Sequence, residues 1–195
     1  MPAPNSEELS MPTRVTLTEV ADMTPEQRAV YEKFESNLTR ALLLTKNSAA
    51  AHLALGGTFT VGLLSLLDRE VIVLRVAKLR DSEFERLLHY PLARKAGLDD
   101  TEIKAIEEAL YDELPAERAA LVRYVTDCMV DHKASEEAYW GLRAYYSQNE
   151  IAEATHLAGH SAMTAMYLAS LDIPGRGHRL LGSADRGPGR GRGLR

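Results

Sequence analysis

Three residues of one short stretch, Asp81–Leu98 (DSEFERLLHYPLARKAGL), have side chains suited to holding or moving a proton: Ser82, Glu85 and His89. They recur at i, i+3 and i+7, which places them within about a 60° stripe of a helix that continues through Leu92, Ala93 and Ala96. A glutamate four residues ahead of a histidine can hold the imidazole by a hydrogen bond, fix its tautomer and raise its pKa. On a solvated face the same pair would stabilise a helix by only a few tenths of a kcal/mol. The small alanines beside His89 leave room for another molecule to approach it. A second acid, Glu70, falls between Leu74 and Ala77 on the wheel of the preceding helix and points toward the core or its border. A carboxylate there must be paired, hydrogen-bonded or protonated; the alternative is a helix-N-terminal acid favoured by the positive end of the dipole. Carboxylates and an imidazole are the groups that general acid–base chemistry uses.

Other polar residues add less. His156 and His160 sit at i, i+4, a spacing at which two imidazoles can share a metal. No acid lies between them as in HExxH and no third ligand is identifiable, so no metal is expected. Cys128 is the single cysteine, which excludes an internal disulfide and any Cys-x-x-Cys redox pair and makes a cytoplasmic setting the default.

The elements that must position these groups all read as helices, and no segment alternates as a strand should. Thr24-Pro25-Glu26-Gln27 starts a helix expected to reach about Arg40. Ser48 opens a second, AAAHLALGGTFTVGLLSLL, in which Gly56-Gly57 invites close packing or a bend. Asp68 is the expected cap of the third, REVIVLRVAKLR, with Lys78 and Arg75 together on a narrow solvated face. Asp81 is the expected cap of the fourth, Pro91 should bend it just after His89, and Gly97 should end it. Further starts stand at Asp99 or Asp100 with Glu102, at Pro115, at Ser135, and at the Ser147/Glu150 capping box of the long last helix. The fold class is therefore all-α, a bundle of about seven to eight helices joined by short loops.

The 195 residues suit one domain with a substantial core. With 45% hydrophobic and 26% charged residues the composition is that of an ordinary soluble domain. No run of about 18 apolar residues exists to span a membrane, and MPAPNSEELS is too polar for a signal peptide. The expected organisation is an N-terminal extension (1–20), a helical domain (21–174) and a Gly/Arg-rich tail (175–195). The tail carries six Arg against one Asp and seven of the 13 glycines, and should be flexible. It lacks the aromatic residues that stack bases and hangs from an acidic body, so nucleic acid is not an expected partner.

The segment Leu67–Ile106, LDREVIVLRVAKLRDSEFERLLHYPLARKAGLDDTEIKAI, resembles the carboxymuconolactone decarboxylase / alkylhydroperoxidase-D-like family. Weaker similarity extends to LTKNSAAAHLALGG and LRAYYSQNEIAEATHLAGHSAM, covering most of residues 20–173. The family pattern is a glutamate in an ELVIL-type helix, then a Cys-x-x-Cys-x-x-x-His helix, then an alanine-rich turn ending in Gly-Leu. On that pattern Glu70 matches the family glutamate and His89 the histidine, while Ser82 and Glu85 stand where the two cysteines would be. Peroxide reduction by the redox-active members needs an attacking and a resolving thiol, so the resemblance is to the cysteine-free branch and a thiol peroxidase is not expected. The resemblance also implies an alkylhydroperoxidase-D-like fold, a homo-oligomer such as a trimer or hexamer, and work without metal or organic cofactor. The expected function is that of a cofactor-independent acid–base enzyme, of decarboxylase, dehydratase/lyase or cyclase type, acting next to a carbonyl on a small organic acid, lactone or related metabolite. His89, Glu85 and Glu70 are the candidate catalytic residues. Ser82, His160 and Arg75 are the candidates to contact substrate, with the question of whether His160, His52 or Arg75 completes the pocket left open. The contrary reading is a non-catalytic oligomeric binding or scaffold protein of the same fold.

Overall fold

A computed structural model describes residues 14–174; the Gly/Arg-rich tail and most of the N-terminal extension lie outside the described residues. Those described form nine α-helices and no strand: α1 (Pro25–Tyr31), α2 (Asn37–Leu42), α3 (Ser48–Thr58), α4 (Leu66–Leu79), α5 (Glu83–Ala96), α6 (Asp100–Glu108), α7 (Ala116–Val130), α8 (Glu136–Arg143) and α9 (Gln148–Ser170). None is long and apolar enough to cross a membrane.

Most helix starts follow the local chemistry of their caps. Thr24, Asp99 and Ser147 each head a reciprocal capping box, with Gln27, Glu102 and Glu150 as the returning side chains. Gly97 ends α5 in the left-handed conformation, φ 109°, that a Cβ would disfavour. Four expectations shift. The first helix does not reach Arg40, because Ser36 turns extended and accepts a hydrogen bond from the Thr39 amide at 3.1 Å, starting α2 afresh. The second stops at Thr58, after which the chain turns, and the Glu153 carboxylate accepts hydrogen bonds from the Leu63 and Leu64 amides. The third is capped by Ser65, leaving Asp68 in its first turn, where its Oδ1 accepts from the Tyr146 hydroxyl at 2.8 Å. The fourth is capped by Ser82, while Asp81 takes a left-handed turn conformation (φ 49°).

Helix α4 is the axis of the bundle and packs against α5, α6, α7 and α9. Every residue from Glu70 to Ala77 on it is buried, the pattern of a helix surrounded on all sides. That corrects the placement of Arg75. It lies on no solvated face, is only 7% exposed, and donates from Nε to Thr126 Oγ1 (2.9 Å) and from Nη1 to the Glu107 carbonyl (2.6 Å). Arg75 therefore ties α4 to α6 and α7. The Glu107 side chain in turn accepts from Arg86 at 2.5 Å, pinning α5 to the same corner. The main apolar core runs from Ile72 and Leu74 to Ile103, Ile106, Leu121 and Leu142. A second cluster, Leu38, Leu42, Phe84 and Leu168, joins α2 to α5 and the end of α9. Between the two lies a cavity.

Candidate active site

The cavity is about 490 Å³ and takes its walls from α3, α4, α5 and α9. Its polar lining includes Arg69, Glu85, His89, His52, His160 and Thr164, together with Thr60, Ser161 and the exposed Lys33. The lining is predominantly apolar otherwise, including Phe34, Leu38, Phe59, Val73 and Leu157, the combination expected of a small-molecule site.

His89 is held from behind. Its Nδ1 lies 2.7 Å from Glu70 Oε2, and both side chains are buried. A carboxylate can only accept, so Nδ1 carries the hydrogen, and in the neutral ring Nε2 keeps its lone pair. The other Glu70 oxygen accepts from Arg69 Nη1 at 2.5 Å. Glu70 does not itself line the cavity; it orients the imidazole. The i, i+4 neighbour Glu85, the other candidate for that role, stands on the opposite edge of the ring, its Oε2 3.7 Å from Nε2. That is beyond hydrogen-bond reach, so Nε2 is not consumed by it. Burial pushes the Glu85 carboxyl above the usual carboxylate range, against the opposing pull of the His89 and Arg69 charges. A proton acceptor and a carboxyl whose pKa burial raises thus face the same space.

Ser82 is placed differently from the sequence expectation. It does not line the cavity; its hydroxyl caps α5, accepting from the Glu85 amide at 3.4 Å. Its link to the site is that it fixes the first turn carrying Glu85. Ser82→Ala is expected to lower stability by about 1 kcal/mol, read as a shift in the urea midpoint at unchanged slope.

His160 does reach the cavity, and His52 comes with it. Their ring centroids are 4.5 Å apart, and His52 Nε2 lies 3.1 Å from Thr164 Oγ1. Since the Thr164 hydroxyl also lies 3.0 Å from the His160 carbonyl, the threonine links the two histidines. Gly56 explains how they fit. A Cβ there would come within 3.1 Å of His160 Nε2, so the glycine lets α3 approach α9. His156 and His160 both pack against the Phe59 ring. Among the described residues no three His, Cys, Asp or Glu side chains are arranged to hold a metal ion.

Burial, with His52, His156 and Arg69 adding their charges, pulls His160 down to about 4, and burial lowers His52 in the same direction. The folded protein therefore binds fewer protons at these sites than the unfolded chain does between about pH 4 and the ordinary histidine value of 6.5. Stability should fall as the pH drops through that window, and His160→Asn should flatten the fall. Urea midpoints measured across the window for both proteins check this.

Arg69 lines the cavity beside Glu70 and His89, and the sequence reading did not single it out. The signal was a lone arginine in the first turns of α4, where the dipole disfavours a cation unless it is paired. Arg75, singled out instead, is not among the cavity residues.

Residues 48–126 match the model of the Carboxymuconolactone decarboxylase family. No curated protein matches the chain. Among solved structures, an alkylhydroperoxidase AhpD core, an uncharacterized peroxidase-related protein from Ralstonia eutropha JMP134, superposes with a TM-score of 0.71 at 14% identity, covering 86% of this chain and 98% of that one. An uncharacterized peroxidase-related protein from Silicibacter sp. TM1040 gives 0.69 at 18% identity, covering 84% and 91%. A protein of unknown function from Agrobacterium tumefaciens, provisionally named an antioxidant defence protein AhpD, gives 0.62 at 20% identity, covering 71% and 95%. At these identities the structures establish a shared fold.

Proposed function

From a chain whose residues 48–126 carry the carboxymuconolactone decarboxylase family pattern on an alkylhydroperoxidase-D-like fold, we propose a cofactor-independent acid–base enzyme that moves a proton at a carbon next to a carbonyl. The observation that carries this reading is the Glu70–His89 contact of 2.7 Å, which leaves Nε2 facing a cavity shared with Glu85. In the proposed step His89 Nε2 takes the proton from the carbon, and the bonding pair moves toward the carbonyl oxygen. Glu85, entering as the carboxylic acid, gives its proton to that oxygen. The imidazolium formed is stabilised by Glu70, whose charge is shared with Arg69. Returning the two protons at different atoms completes an isomerisation. With a hydroxyl on the next carbon, the enol expels it as water, the imidazolium giving the proton, and a dehydration results. With a carboxylate on the carbon beside the carbonyl, the pair of the breaking C–CO2 bond moves toward the carbonyl oxygen as Glu85 protonates it, so that CO2 leaves and the enol is formed directly. Attack of the enol on an electrophilic carbon gives a ring.

Thiol chemistry is disfavoured by the same geometry. Cys128 lies on α7, does not line the cavity, and has its thiol pushed up by burial. The organisation proposed with this function is a catalytic helical domain over residues 21–174, assembled as a homo-oligomer.

The test is an untargeted metabolite comparison of a deletion strain complemented with wild type, His89→Ala or Cys128→Ser. A compound that accumulates in the deletion should be cleared by wild type and by Cys128→Ser but not by His89→Ala. Clearance by His89→Ala would move the non-catalytic binding reading ahead. Dependence on Cys128 would restore a thiol mechanism.

A further inference from the structure

Helices α3 and α9 bring His52 and His160 together in the cavity wall, and the proton transfer proposed above uses neither. Their four ring nitrogens differ. His52 Nε2 lies 3.1 Å from Thr164 Oγ1, which donates its own hydrogen to the His160 carbonyl at 3.0 Å. A hydroxyl has one hydrogen to give, so His52 Nε2 must be the donor to Thr164, and Nδ1 of that ring keeps its lone pair. His160 Nδ1 is enclosed and has no partner. An enclosed N–H without an acceptor is rarer than an unmatched acceptor. The His160 hydrogen therefore stands on Nε2, the nitrogen turned toward Gly56. His52 Nδ1 and His160 Nε2 themselves have no hydrogen-bond partner among the described residues, and neither is enclosed.

These two free nitrogens are one acceptor and one donor. The ring centroids are 4.5 Å apart, and a hydrogen-bond reach of about 3 Å on either side lets a single oxygen serve both. Burial holds both rings toward their neutral forms, which preserves the split, since a protonated ring would donate from both nitrogens. A hydroxyl, with one hydrogen to give and lone pairs to accept, is the complement of such a pair. A carboxylate is not: it brings no hydrogen for His52 Nδ1 and meets no charge on either ring. Around the pair the wall is apolar, with Leu53, Leu157 and Phe59, whose ring lies 5.7 Å from that of His160.

We propose that His52 and His160 form a second binding site in the cavity, for the hydroxyl group of a ligand with an apolar body: the ligand O–H donates to His52 Nδ1, and its oxygen accepts from His160 Nε2–H. Thr164 is the positioning residue, because its hydroxyl fixes the His52 tautomer from behind. Gly56 leaves His160 Nε2 the space in which to meet the ligand. The site needs the cavity but no chemistry at His89, so it goes beyond the acid–base reading. Where both hold, the substrate carries a hydroxyl in addition to its reacting carbonyl, and the two ends fix its orientation.

The test is calorimetric titration of the full chain at neutral pH with para-ethylphenol, beta-naphthol and cyclohexanol, each against its methyl ether, which keeps the acceptor and loses the hydrogen. At least one alcohol should bind about tenfold or more tighter than its ether, a difference of about 1.4 kcal/mol. His52→Phe removes the acceptor and should erase that preference. His160→Phe removes the donor that both probes use and should weaken alcohol and ether alike. Thr164→Val should reduce the preference severalfold, and Thr164→Ser should restore it. His89→Ala should keep it, so a failure of the proton-transfer reading and a failure of this site give different results. Equal binding of alcohols and ethers, as expected if the two nitrogens hold only water, would overturn the assignment. So would no binding of any alcohol, or a preference that survives His52→Phe and disappears in His89→Ala. Should His52→Phe prove unfolded by circular dichroism, the contrast between Thr164→Val and Thr164→Ser decides.

Discussion

His89→Ala is expected to lower turnover by about 10²–10⁴-fold, the range supplied by one positioned acid–base group, with helical content and melting temperature close to wild type. The magnitude follows from where the ring sits. Nδ1 is occupied by Glu70, so Nε2 is the atom presented to the cavity, and no other described base approaches the same point with an orienting carboxylate behind it. The folding effect is small by comparison, because the ring borders a cavity and its removal enlarges an existing space. Steady-state rates on the compound found by metabolite comparison, together with thermal melts of both proteins, check the two halves separately. A variant that melts normally and turns over normally would remove His89 from the mechanism.

Glu70→Ala should produce the largest loss of stability of any single change at the site, about 3–5 kcal/mol, the cost of breaking a buried ion pair by removing one partner. Glu70 is 2% exposed and serves two groups at once, accepting from Arg69 with one oxygen and from His89 with the other. Its loss leaves a guanidinium without its carboxylate and an imidazole free to choose the wrong tautomer. Glu70→Gln keeps the volume and one acceptor, so it should recover part of the stability but little of the activity, since an amide neither balances Arg69 nor stabilises an imidazolium. Urea unfolding of the three proteins gives the ordering wild type, Gln, Ala. An ordering in which Ala matches wild type would mean the pair contributes nothing to the fold.

The comparison of Glu70 with Arg75, five residues apart on one helix, shows what a sequence can carry. Both lie on α4, and wheel geometry sent the first inward and the second to solvent. The first placement holds and the second does not, because α4 is enclosed on every side and has no solvated face between Glu70 and Ala77. A helical wheel reports which residues share a face; how many faces are covered depends on neighbours that the wheel does not contain. The same limit hid Arg69, whose place at the site comes from a cavity bounded partly by α9, more than eighty residues further along the chain.

What the sequence determined by itself was local. Capping boxes at Thr24, Asp99 and Ser147 and the glycine stop at Gly97 are short-range hydrogen bonds and backbone preferences, written within four residues of where they act. The shared stripe of Glu85 and His89 follows from helical period alone, and the family resemblance carried by Leu67–Ile106 rests on such short patterns. Even there a competing local bond could be missed, as at Ser36, whose cap splits one expected helix into α1 and α2. The tertiary structure decided the rest: which of two glutamates orients His89, that Ser82 caps α5 while Arg75 clamps it indirectly through α6, and that His52 and His160 converge across Gly56. Each of these depends on distance between elements far apart in the chain, and such distances are set only when the whole bundle packs, because burial and desolvation belong to the assembled core and to no single segment of it.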